Sequence, residues 1–358
     1  MGKGKKYTPL VWADKLTEQL QEICPNVNPE DLRVMISANS TTEERNAKLD
    51  KYPRLKNLLQ VMQEYSEKDN VPDYISENAV KETLRDFDSI SLVMMWSKNK
   101  QVFAFDKDFT NELVNTDGIQ FTKNCFDFLP YTYFYIDLSD NAELCQKMCA
   151  EGLFVTTEKA NEDGQEVYYI HICKVCGDYF YNDILTVVNE TKKIETNEIM
   201  INDTVSIFDH RKGMSERKID GRAYQILVLQ ILVYLSSAEP DVRENALTMQ
   251  TYRKPAPESK PKNKYSEVRK WDVGVRFGTA YRAWKKNKDS VTVHRTGTSL
   301  RGVKQRPHSR KAHWSHYWYG SGENKVCRAK WISEYYVGIN DNENPAVIHK
   351  VKNENKKG

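Results

Sequence analysis

An α+β fold is predicted by three observations. The first hundred residues carry apolar positions at helical spacing. The middle of the chain carries aromatic and β-branched runs bounded by turn signals. A continuous apolar stretch at 226–235 then supplies one helix to bury. The expected organisation is a helical region over 1–100, an α+β body over 101–252, a Pro/Lys linker over 253–264 and a basic module over 265–358. The body is expected to hold a central antiparallel sheet with a buried helix. The C-terminal module is expected to be small and to contain β-structure.

The N-terminal expectation rests on Leu16, Leu20 and Ile23, which share one helical face. Asn28 followed by Pro29 reads as a helix start, with Asn28 as cap and Pro29 at the first helical position. Leu55, Leu58, Leu59 and Met62 continue the 3.6-residue period. From about residue 100 the pattern changes. Val102 to Phe105 and Thr132 to Asp137 have strand composition. Leu153 to Thr157 and Glu166 to His171 flank Asp163-Gly164, which predicts a β-hairpin. Ile184 to Val188 reads as a further strand.

The stretch Ile226 to Leu235 is half the length a membrane span needs, and Gln230 interrupts it. It predicts a buried helix, and no membrane partner is expected. The start MGKGKKYTPLVW has no export-length apolar core, and Lys6 stands where a myristoylation signal needs a hydroxyl residue. Mean hydropathy is −0.70. Pro255, Pro257 and Pro261 among lysines mark the linker.

The net charge of +3 conceals a polarity. Residues 251–358 carry 25 Lys and Arg against nine Asp and Glu, a net +16, while the rest nets −13. Five of the seven His and five of the seven Trp also fall after residue 250. An acidic body joined to a basic end seeks polyanions.

The densest segment runs from Arg306 to Gly320. Candidate nucleic-acid or ribosome contacts are Arg306, His308, Arg310, Lys311, His313, Trp314, His316, Trp318, Arg328 and Trp331. Cations neutralise phosphates, aromatic rings stack on unpaired bases, and imidazoles donate or shuttle protons. Read as a strand, Trp314, His316 and Trp318 share one face, while His313, Ser315, Tyr317 and Tyr319 share the other. Gly320-Ser321-Gly322 then turns into a second strand at Val326 to Ile332. The competing structural reading makes Trp314, Trp318 and Trp331 core aromatics. A metal-independent ribonuclease could use His308, His313 and His316 as acid and base. Zinc is disfavoured there, because Arg306, Arg310 and Lys311 repel a divalent cation and no Asp or Glu lies between Arg306 and Gly322.

The seven cysteines are odd in number and read as reduced thiols. Cys145, Cys149, Cys173 and Cys176 could form a four-thiolate site, but ordinary thiols are the favoured reading. No cofactor is expected, and no glycine-rich phosphate loop or paired-carboxylate motif is present.

Arg306, Pro307, His308, Arg310, His313, Trp314, Tyr317, Trp318 and Gly320 fit the run R-P-H-x-R-x-x-H-W-x-x-Y-W-x-G. Arg328 and Trp331 fit a following R-x-x-W. Ala238-Glu239-Pro240-Asp241 after an apolar helix, and Leu129-Pro130 leading to Tyr135-x-Asp137, agree with the same pattern. On these motifs the chain resembles a type V-A anti-CRISPR family over roughly residues 129–340. The resemblance implies a phage or mobile-element protein acting in the cytoplasm of a bacterial host. It implies recognition of the nascent N-terminal peptide of the CRISPR effector nuclease, followed by loss of the effector's mRNA. Whether message loss is intrinsic or uses a host nuclease stays open. A nucleic-acid- or ribosome-binding protein of a mobile element, without anti-CRISPR action, is the remaining alternative.

Overall fold

The computed structural model describes residues 8–37, 39–57, 60, 89–116, 125–148, 150–162, 164–176, 179–189, 221–245, 268–288, 308–322 and 325–337. The helices are α1 (Thr8–Ile23), α2 (Pro29–Ile36), α3 (Thr42–Leu49), α4 (Lys107–Val114), α5 (Ala142–Met148), α6 (Gly221–Ser236) and α7 (Val275–Lys288), with a further helical stretch at 89–99. The strands are β1 (Gln101–Phe105), β2 (Tyr133–Asp137), β3 (Gly152–Glu162), β4 (Gln165–Cys176), β5 (Tyr179–Asn189), β6 (Val242–Glu244), β7 (Arg269–Val273), β8 (His308–Arg310), β9 (His313–Tyr319), β10 (Val326–Ile332) and β11 (Tyr335–Val337). The fold class is α+β.

Seven strands form one sheet in the order β5-β4-β3-β2-β1-β7-β6. The expected antiparallel pairing holds for β2 through β5, including the hairpin whose turn carries Gly164 at φ +83°. The sheet as a whole is mixed, however, because β1 runs parallel to both β2 and β7. The physical reason is the connection. From β1 the chain passes through α4 and a 3-10 turn at Cys125–Phe128 before entering β2. A crossover of that length returns to the same sheet end and gives a parallel neighbour.

The position of β7 also bears on the domain expectation. Residues 269–273 were expected inside a separate basic module, yet they pair with β1 and β6 in the body's sheet. The linker at 253–264 lies outside the described residues, as do Leu58, Leu59 and Met62.

Strand alternation divides the core into two layers. On one face, Val102, Tyr135, Phe154, Cys173 and Val175 meet the N-terminal helices through Leu16, Leu20, Leu32 and Trp96. Asn28 caps α2 by accepting from Glu30 N, as its sequence suggested. The buried carboxylate of Glu158 on β3 fastens this layer. It pairs with Arg33, accepts from Ser37 Oγ, and accepts from Asn39 Nδ2 at 2.9 Å.

On the other face, Phe103, Phe134, Ile136, Leu153, Val155, Ile170 and Ile172 meet α4, α6 and α7. The apolar stretch becomes the interior of α6, with Leu227 to Leu235 buried. Gln230 is tolerated there because its Nε2 donates to the Thr116 carbonyl at 2.7 Å. Trp314, Ala329 and Trp331 of the β9–β10 ribbon complete this layer.

Candidate nucleic-acid interface

The ribbon β9–β10 is antiparallel, with Trp314 opposite Trp331, Tyr317 opposite Arg328 and Trp318 opposite Cys327. Gly320 at φ +91° and Gly322 at φ +60° accept the left-handed backbone that the connection between the strands requires. The ribbon's two ends differ in surroundings. Its root is packed into the body, and its tip is not.

At the root, Trp314 is only 9% exposed. Its ring cannot stack on a base, and its indole N–H is buried without an acceptor. Trp331 is half-buried among Phe109, Phe277 and Tyr234, with ring centroids 5.2, 5.3 and 6.2 Å away. Its Nε1 donates to Thr116 Oγ1 at 3.0 Å. Arg328 donates from Nη2 to the carbonyls of Ser236 and Ser237, both at 2.9 Å, and lies 4.5 Å over the Phe128 ring. A guanidinium on the last carbonyls of a helix satisfies acceptors that the helix leaves open. The main chain joins as well, since Ala238 N donates to the Ala329 carbonyl at 2.9 Å. Trp314, Trp331 and Arg328 therefore hold the ribbon to α6 and the sheet. Burial and internal partners take the first two away from any nucleic acid.

At the tip, Trp318 and Tyr317 are 56% and 44% exposed. Lys325 and Val326 beside them are exposed too. Arg310 and Lys311, at the corner between β8 and β9, are exposed. His313 is half-buried with Nδ1 3.0 Å from the Lys311 carbonyl, a geometry that requires the hydrogen on Nδ1. His316 is half-buried on the face of Trp314 and Trp318. His308 belongs to β8, opposite Val337 on β11, and its ring lies outside the described residues. Arg306 lies outside them altogether.

This placement bears on the ribonuclease alternative. His313 and His316 are three residues apart on one strand, so their rings leave opposite faces. They do not converge on one phosphate. The cysteine pair behaves likewise. Cys173 and Cys176 lie on β4 with opposite facing, and Cys173 is sealed under the N-terminal helices. Cys145 donates its thiol to the Leu138 carbonyl at 3.0 Å, and burial pushes its pKa up to about 11. Cys149 lies outside the described residues. Among the described residues no group of three or more His, Cys, Asp or Glu could hold a metal ion. Among them no helix is long and apolar enough to cross a membrane.

The signal that separates root from tip is the register, which opposes Trp314 to Trp331 and which the sequence alone does not set. Two large aromatics facing each other near a buried helix favour a core pair. The role of Arg328 had no such signal, because its acceptors are main-chain carbonyls 91 and 92 residues away.

A family model, AcrVA2-like, described as the anti-CRISPR type V subtype A2 family, matches residues 103–339. The chain belongs to that family. The match begins within β1 and ends just beyond β11, so the sheet from Phe103 onward and the whole ribbon lie within the anti-CRISPR family's span. Among solved structures, the chain is similar to one titled "Crystal structure of AcrVA2", with a TM-score of 0.51 and 14% identity. The likeness covers 92% of this chain and 99% of that one. At that identity it speaks for the fold. No curated protein sequence matches the chain.

Proposed function

We propose that this anti-CRISPR chain lowers production of the type V-A effector nuclease. In this reading it recognises the nascent N-terminal peptide of the effector and causes loss of the effector's mRNA. It acts in the cytoplasm of the bacterial host, on mRNA or at the ribosome. The observation that carries the reading is the family match over 103–339, which takes in the ribbon with its R-P-H-x-R-x-x-H-W-x-x-Y-W-x-G run. The charge polarity supports a division of labour. The acidic part would meet the peptide, and the basic end would meet RNA or ribosome.

The test is co-expression with an effector gene in three forms: native, synonymously recoded over its first codons, and recoded to change the peptide. Message and protein should fall for the first two and survive for the third. Equal loss for all three would remove peptide recognition from the account. Loss for native but not for synonymous recoding would move recognition from peptide to nucleotide sequence. Charge reversal at Arg306, Arg310 and Lys311 should abolish message loss while sparing peptide binding.

A further inference from the structure

The β9–β10 ribbon is buried at one end and wet on both faces at the other. Among the described residues, four large apolar side chains are left exposed, and three of them, Tyr317, Trp318 and Val326, sit at this tip. Burying a tryptophan and a tyrosine would stabilise the fold, so leaving both in water gives the folded chain nothing. The neighbours of these rings are cationic. Lys330 Nζ lies 6.0 Å from the centre of the Tyr317 ring and 3.5 Å from Glu239 Oε2, an exposed pair that a phosphate can displace, while Arg328, directly opposite Tyr317, is held by the Ser236 and Ser237 carbonyls. Lys325 lies two residues before Cys327, the partner of Trp318, and is exposed. From Arg306 to Ser333 the chain holds six Arg and Lys and a single acid, Glu323.

We infer that the tip of this ribbon is a platform that stacks unpaired bases of single-stranded nucleic acid, with Trp318 as the ring and Lys325 as the phosphate contact on one face, and with Tyr317 beside Lys330 on the opposite face. A flat indole accepts any base on its face, and a nearby ammonium neutralises the backbone that carries it. The arrangement disfavours duplex RNA, whose stacked bases offer no free ring faces. The inference deepens the proposed function, and its role in cells rests on that reading. Binding itself is measurable without it. The rigid root turns the ribbon into a fixed arm, so the platform needs no ordering when RNA arrives.

The experiment uses the full chain and fluorescently labelled oligouridine, oligodeoxythymidine and a duplex RNA, followed by anisotropy at several salt concentrations. The variants are Trp318→Ala, Tyr317→Ala and Lys325→Glu, each checked for an unchanged melting curve. Poly-glutamate is the competitor that represents an acidic protein partner. The single strands should bind, with affinity falling as salt rises, and Trp318→Ala should weaken binding about tenfold. Absence of binding by the unaltered chain overturns the inference. So does binding that none of the three variants weakens, or equal binding of duplex RNA. Competition by poly-glutamate that is lost in the same variants assigns the tip to an acidic protein instead. If oligonucleotide binding holds while co-expressed effector message is untouched, the platform stands and the proposed function falls.

Discussion

The indole N–H of Trp331 donates to Thr116 Oγ1 at 3.0 Å, and this bond joins the C-terminal ribbon to the segment just past the C-cap of α4. Thr116 also offers its carbonyl to Gln230 on α6 at 2.7 Å. One buried threonine thus links the ribbon, the sheet's crossover and the central helix. Replacing Trp331 by Phe keeps a ring among Phe109 and Phe277 but removes the donor. We expect a loss of about 1 kcal/mol, the usual net worth of such a bond, seen as a lower urea midpoint with an unchanged slope.

Arg328 should behave as a structural residue. Arg328→Met leaves the carbonyls of Ser236 and Ser237 without their donor, and we expect a loss of about 1–3 kcal/mol. Thermal unfolding with and without oligouridine separates this from a binding role. The variant should melt earlier, and any fall in RNA affinity should be smaller than that of Trp318→Ala.

Gly274 ends β7 and opens α7 at φ +73°, and a Cβ there would overlap the ring of Phe109. Gly274→Ala should therefore destabilise the chain by about 1–3 kcal/mol, combining left-handed backbone strain with overpacking. Calorimetry against the unaltered chain checks this. Gly164 has a similar φ but open space around it, so Gly164→Ala should cost less.

The N-terminal layer should loosen in acid. Burial of the Glu158 carboxyl opposes its charge, but bonds from Ser37, Arg33 and Asn39 outweigh that and hold its pKa below the ordinary glutamate range. A depressed folded pKa contributes stability above the unfolded value, and that contribution is lost as pH falls through the folded value. Amide exchange over residues 29–49 should accelerate below about pH 4. Glu158→Gln should raise exchange at neutral pH and flatten the acid response. An acid response unchanged in that variant would assign the effect to other carboxylates, such as Asp31, which Lys48 holds low.

Local signals in the sequence carried far, and long-range ones did not. Asn28-Pro29 placed the start of α2, Asp163-Gly164 placed the β3–β4 hairpin, and the apolar run placed the interior of α6. Each of these depends on neighbours within a few residues. The parallel pairing of β1 with β7 joins residues about 170 positions apart, and no turn signals it. Residues 269–273 read as part of the basic module, yet Trp271 is held by the distant Gln101, whose Oε1 accepts from Trp271 Nε1 at 2.8 Å. The same limit applies at the ribbon. Composition singled out Trp314, Trp318, Arg328 and Trp331 together, because chemistry alone cannot tell a ring that packs from a ring that stacks. Burial of the root against α6 makes that distinction.

The most direct measurement is effector mRNA abundance in cells that co-express a type V-A effector with either the unaltered chain or the Trp318→Ala variant at matched protein levels. The account expects the message to fall with the unaltered chain and to recover with the variant. A message that stays constant in the presence of the unaltered chain would contradict it.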